Sequence, residues 1–144
     1  GLEGSSVLVD VNHSVIRDVR AGKYKGTRRT CFSKEARREL SNKIEDLGSK
    51  EAGFQSNGSH YALVAQGRPT IIANISTSVG GPYDIAGLLH VTEAGGLAKC
   101  YGVDSKSLYE IGQDIENADI TIAANTQENL QSLEEALKKA ILLN

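Results

Sequence analysis

Apolar runs with strand character alternate along this chain with segments whose apolar residues recur at helical spacing, and glycine closes most of the helical segments. Strands separated by helices build an α/β layer, with right-handed crossovers between its parallel strands. Residues 7–11 and 15–19 are β-branched runs flanking Asn12-His13-Ser14, which predicts an opening β-hairpin. Residues 22–30 are rich in glycine and cations and read as a loop. Ser33 is suited to cap a helix in which Ala36, Leu40, Ile44 and Leu47 recur before Gly48 stops it. Phe54 ends a short extended stretch, and 60–66 reads as a helix closed by Gly67. Residues 69–75 have strand character, with Pro69 at the first position, where its missing donor costs least. Pro82 suits the first turn of a helix running to Glu93 and ending at Gly95-Gly96. Short strands are expected at 97–101 and 108–111, and a strand buried on both faces at 119–124. Thr126 can cap a last helix striped by Leu130, Leu133, Leu137, Ala140, Ile141 and Leu143. The expected architecture is α/β: a mixed, largely parallel sheet with helices packed on it, preceded by the hairpin. One domain spans 1–144, divided into a hairpin and basic loop (1–31) and an α/β body (32–144).

Composition narrows the class further. With 144 residues, 40% of them hydrophobic and 24% charged, folding buries roughly 68–70% of the unfolded surface, enough for a core without disulfide or metal staples. Collagen-like, disordered and disulfide-built chains are excluded. No apolar run approaches the roughly 18–20 residues that span a bilayer, and Gly1-Leu2-Glu3-Gly4 is neither basic nor apolar, so a cytoplasmic protein without membrane contact is expected. Cys31 and Cys100 show no metal or redox spacing and read as ordinary thiols. The chain has no methionine and opens on glycine, which predicts a trimmed, processed or partial chain.

Charge is unevenly spread. Residues 17–39 hold nine basic side chains against three acidic ones, a charge of +6, which leaves −8 on the rest. A basic arm on an acidic body suits an anionic ligand or an acidic partner, and equally a solvated loop followed by the wet face of a helix. Lys23, Lys25, Arg28 and Arg29 are the candidate anion-binding cations; Tyr24 is the single aromatic among them, too few for base stacking, so nucleic acid is not the expected partner.

The stretch with most chemical content is Gly80-Gly81-Pro82-Tyr83-Asp84-Ile85-Ala86-Gly87, followed by Glu93-Ala94-Gly95-Gly96. Asp84 falls in the first turn of the predicted helix, where the positive end of the helix dipole favours anions. A carboxylate there can simply support the helix, or it can offer hard oxygen to Mg²⁺, which takes one or two carboxylates plus water and substrate phosphate.

These residues resemble the C-terminal signature of the inositol monophosphatase superfamily, Trp-Asp-x-Ala-Ala/Gly-Gly followed by Glu-Ala-Gly-Gly. The superfamily comprises Mg²⁺-dependent sugar-phosphate phosphatases and includes archaeal fructose-1,6-bisphosphatases. Gly53 to Gly58 leading to Val64-Ala65-Gln66-Gly67 is similar to the family's small-residue helix, residues 120–125 to its final strand, and Arg20 to Gly26 to its Gly-Lys-Gly hairpin turn. The resemblance implies the C-terminal domain of the sugar phosphatase fold, with Asp84 as a ligand of a second metal ion and Gln55, Ser56, Asn57 and Thr77 beside the substrate. Tyr83 stands in place of the family's Trp, Gln55 where glycine would let a substrate approach, and Thr77 where some members carry an acid.

The family's other metal ligands, a Glu and an Asp-Pro-Ile/Leu-Asp-Gly-Thr string, belong to an N-terminal half that does not occur here. The resemblance therefore implies a half-domain, inactive alone, that uses Mg²⁺ only with a complementary N-terminal half or in a self-associated dimer. The other reading is a non-catalytic regulatory module of the same fold that holds an anionic ligand or partner through 17–38.

Remaining candidates have plain structural explanations. His13, His60 and His90 share no ligand spacing and read as surface or packed histidines. Ser56 and Ser59 read as capping residues. Asp114, Glu116 and Asp119 read as a solvated turn, and burial is the usual fate of free cysteines such as Cys31 and Cys100.

Overall fold

The computed structural model describes residues 4–10, 32–52, 57–67, 71–76, 82–115 and 118–144, with the backbone alone at 10, 57–59, 71 and 82–84. Ten elements follow in the order β1 (Ser6–Asp10), α1 (Lys34–Asp46), β2 (Lys50–Ala52), α2 (Asn57–Ala65), β3 (Ile71–Ser76), α3 (Pro82–Glu93), β4 (Leu97–Asp104), β5 (Ser107–Glu110), β6 (Ile120–Ala124) and α4 (Gln127–Ile141). The local signals explain most boundaries. The Ser33 hydroxyl accepts the Ala36 N–H at 3.0 Å and starts α1, and the Thr126 hydroxyl accepts the Asn129 N–H at 3.1 Å and starts α4. Gly67 and Gly95, at φ +69° and +92°, end α2 and α3 in the left-handed conformation that a side chain disfavours.

The strands form one six-stranded sheet in the order β2-β1-β3-β6-β4-β5. β1 pairs parallel with both β2 and β3, while β6 runs antiparallel to β3 and β4, and β5 antiparallel to β4. The sheet is mixed, as expected, but not largely parallel: three of the five pairings are antiparallel. Two causes act. Only Ser105 and Lys106 separate β4 from β5, a connection that admits nothing but a hairpin. β6 then returns between β3 and β4 and opposes both.

Of the expected opening hairpin, the structure describes only the first arm. β1 has parallel partners on both sides, Val7 opposite Glu51 of β2 and Ala73 of β3, and so is an inner strand of the parallel part. The second expected arm, 15–19, lies outside the described residues, as do Phe54, Pro69 and the basic loop to residue 31.

Helices cover both faces. α1 and α4 pack on one, with Ala36, Leu40, Ile44, Leu130, Leu133 and Leu137 against Val7, Ile75, Ile120 and Ile122. On the other, Tyr61 and Val64 of α2 and Leu88 and Val91 of α3 meet Cys100 and Ala123. β6 is therefore buried at all five positions, as expected, although it is antiparallel. Leu143, expected in the apolar stripe of α4, is 48% exposed, because the helix ends at Ile141 and helical spacing stops with it. The chain end instead docks on α1: the Asn144 side-chain oxygen accepts the Ser33 N–H at 2.9 Å.

Candidate functional site

Of the candidate residues, Asn57 and Asp84 are described by their backbone, each at the start of a helix that follows one of the parallel strands. β1 leads through α1 to β2 on one side, whereas β2 leads through α2 to β3, past β1, on the other. Because these connections move in opposite directions, right-handed crossovers put α1 on one face and α2 on the other. β3 then leads through α3 to β4, again on the α2 face. The helix that follows β1 thus lies on one face, and the helices that follow its neighbours β2 and β3 lie on the opposite face. In open α/β sheets generally, ligands bind in a crevice outside the strand ends where successive connections diverge in this way.

Backbone placement relates the candidates to that crevice. Asn57 is the first residue of α2, the helix that follows β2, and Asp84 is the third residue of α3, the helix that follows β3. The first-turn N–H groups of both helices have no acceptor within the helix and favour an anion. Gln55, Ser56 and Thr77 lie outside the described residues, as do Lys23, Lys25, Arg28 and Arg29. Ser59 falls inside the first turn of α2 rather than ahead of it.

Among the cations of 17–38, Lys34, Arg37 and Arg38 are described. Arg37 is engaged in the fold: its guanidinium pairs with Glu51 of β2 and donates to Ser41 at 2.7 Å, and the Ser41 hydroxyl donates to Glu51 at 2.6 Å. Burial pulls the Arg37 pKa down from its ordinary value. The cluster straps α1 to the β2 edge. Glu51→Ala is expected to cost about 1 kcal/mol, measured by urea unfolding, because the partly buried guanidinium loses its counter-charge.

Beneath α2 lies a polar layer that the sequence did not announce. His60 and Asn74 are 1% and 0% exposed, with His60 Nδ1 3.0 Å from Asn74 Oδ1. The hydroxyls of Tyr61 and Thr121, both fully buried, are 3.0 Å apart. Ser76, also fully buried, stands opposite Thr121 in the β3–β6 register. The Asn74 side-chain nitrogen has no hydrogen-bond partner among the described residues. Polar Asn74 within the apolar run of β3 was the available signal. Its meaning depends on a helix 14 residues away in sequence.

The other histidines and the cysteines follow expectation where described. His60 is packed, His90 is exposed, and His13 lies outside the described residues. Cys100 is buried, and burial, with the nearby Asp114 charge, raises its thiol pKa; Cys31 lies outside the described residues. The acidic turn needs correction: Asp119 is only 7% exposed, and its carboxylate accepts the Val103 N–H at 2.9 Å. It serves the start of β6 in place of a ladder bond. Cys100 also lines a mostly apolar cavity of about 240 Å³ between α3 and β4, with Ile85, Leu88, Leu89 and Ile115.

The fold is that of an α/β protein with a six-stranded mixed open sheet and helices packed on both faces. No protein-family model matches the chain, and neither does any curated protein. No helix among the described residues is long and apolar enough to cross a membrane.

Proposed function

We propose that this chain supplies the C-terminal half of a sugar-phosphate phosphatase centre of the inositol monophosphatase type, and that hydrolysis requires a complementary N-terminal half. One observation carries the proposal. The stretch that resembles the family signature, Asp84 to Gly96, begins in the first turn of α3, the helix next in the chain after β3. The chain there offers two helix N-termini to a phosphate and, in Asp84, a carboxylate to a metal ion. By the family resemblance, Gln55, Ser56, Asn57 and Thr77 are the residues that would stand beside the substrate.

Mg²⁺ demands several converging oxygens. Among the described residues no group of three or more histidine, cysteine, aspartate or glutamate side chains is placed to hold a metal ion. The described side chains, which do not include that of Asp84, do not by themselves form a Mg²⁺ site. What this half contributes is phosphate binding and one carboxylate, with the remaining ligands supplied by the other half.

The test pairs catalysis with binding. Purified chain given Mg²⁺ and inositol-1-phosphate or fructose-1,6-bisphosphate is expected to show no turnover. It is expected to bind inorganic phosphate at millimolar concentrations, more tightly with Mg²⁺ than without. Asp84→Asn is expected to remove the Mg²⁺ enhancement. Robust turnover by the chain alone, abolished in Asp84→Asn, would overturn the half-site; no phosphate affinity under either condition would overturn the crevice as an anion site.

A further inference from the structure

Two helix N-termini serve a common anion only when they are held in register. α2 has little apolar packing: among its described side chains, Tyr61 and Val64 are buried hydrophobics and Ala65 is partly buried against them. Its first turns are held to the sheet by polar contacts instead, His60 to Asn74 on β3 and Tyr61 to Thr121 on β6, each at 3.0 Å and fully buried. Hydrogen bonds tolerate little displacement, whereas apolar contacts permit sliding and rotation. The two bonds run to adjacent strands, and together they fix both the rotation and the height of α2 over the sheet.

Tyr61 extends the same constraint to α3. Its ring lies so close to Gly87 that a Cβ there would stand 2.4 Å from the ring carbon Cδ2. One side chain thus touches the sheet through its hydroxyl and the neighbouring helix through its ring. Gly87 is three residues beyond Asp84, about 4.5 Å along the helix axis. The contact therefore lies about one turn beyond Asp84 in α3.

Stability alone does not account for Asn74. Its fully buried nitrogen has no partner among the described residues, a state that costs about 1–3 kcal/mol and that an aliphatic residue in the same layer would avoid. We infer that Tyr61, with the His60–Asn74 pair, is a positioning element that holds the first turns of α2 and α3 in the arrangement a phosphate requires. This inference rests on the phosphate-binding crevice proposed above. None of these side chains touches the ligand; each acts through the two helices.

The experiment is a titration of the whole chain with inorganic phosphate, followed by NMR shifts of the first-turn amides of α2 and α3 well below the melting temperature. Tyr61→Phe and Asn74→Leu are each expected to weaken phosphate binding by about tenfold, the loss of roughly one charge-assisted hydrogen bond. Thr121→Ser keeps the hydroxyl and is expected to bind as the wild type does. Should Tyr61→Phe fail to fold, Thr121→Val removes the same bond from the sheet side and is expected to weaken binding equally. Folded Tyr61→Phe or Thr121→Val protein with wild-type phosphate affinity overturns the positioning role while leaving the crevice intact. Absence of phosphate binding in the wild type overturns the crevice, and this inference with it.

Discussion

Gly87→Ala is expected to destabilise the protein by about 2 kcal/mol, although alanine in an open helix position is about 1 kcal/mol better than glycine. The sign comes from the contact between α2 and α3. A Cβ at residue 87 would stand 2.4 Å from Cδ2, 2.9 Å from Cγ and 3.0 Å from Cβ of Tyr61. Retreat is blocked for the ring, because Tyr61 is fully buried and its hydroxyl is tied to Thr121. The helices must therefore separate, which loosens Val64, Leu88 and Val91 together. For a chain of this length the melting temperature should fall by about 8 °C. Introducing Gly87→Ala into a Tyr61→Leu background is the decisive comparison. With the ring gone, the substitution is expected to become neutral or stabilising, since only helix propensity then remains. An equal loss in both backgrounds would show that Gly87 is required for some reason other than Tyr61.

What could be read from the sequence was local. Ser33 and Thr126 announce their helices because a cap is completed within three residues, and the spacing of Ala36, Leu40 and Ile44 is the pattern that α1 buries. The five apolar or β-branched positions of β6 likewise required helices on both faces of the sheet. Strand direction was not local. The valine-rich run of β1 has the same composition whether it forms a hairpin arm or an inner parallel strand; its partners β2 and β3 begin 44 and 65 residues after its first residue. Nothing near 120–124 announces that β6 is antiparallel to β3 and β4, since that follows from where the chain returns.

At the candidate site the same division holds. Pro82 and the closing glycines placed Asp84 in the first turn of α3, and the structure has it third in that helix. The layer beneath α2 was illegible because each of its bonds joins distant residues, 14 apart for His60 and Asn74 and 60 apart for Tyr61 and Thr121. Asp119 was misread for a similar reason: its partner, the Val103 N–H, is 16 residues away across the β4–β6 boundary.

Glu134→Ala is expected to lower stability by about 2 kcal/mol near neutral pH, and to lose the charge-dependent part of that effect in acid. Glu134 on α4 is the hub of a charge cluster. It accepts the Tyr101 hydroxyl at 2.5 Å and lies 3.4 Å from Lys99 and 3.3 Å from Lys138, while Lys99 also reaches Glu110 at 2.7 Å. Tyr101 is fully buried, so removing the carboxylate strands its hydroxyl in the core between β4 and α4. Burial pushes the Tyr101 pKa up and the hydrogen bond to Glu134 reinforces the shift, so the phenol remains a donor throughout. The Glu134 pKa falls below the ordinary glutamate value: burial opposes the shift, but the Tyr101 hydroxyl, Lys138 and Lys99 together outweigh it. A carboxylate depressed on folding stabilises at pH values above its unfolded pKa, about 4.3, and loses that contribution as pH falls through the lower folded value. Lys99 has the opposite dependence. Its pKa is raised, chiefly by Glu110, so its contribution is complete below the ordinary lysine value and fades as pH rises through the higher folded one. Between these limits the wild type should show a stability plateau. Melting temperatures of wild type, Glu134→Ala and Glu134→Gln from pH 3 to 8 separate charge from hydrogen bond. Glu134→Gln keeps an acceptor for Tyr101 and should lose less than Glu134→Ala at neutral pH; in acid the Glu134→Gln gap should close, while Glu134→Ala should keep the part due to the stranded Tyr101 hydroxyl. A gap to wild type as large at pH 3 as at pH 7 would mean that packing of the Glu134 side chain, not its charge, joins α4 to β4.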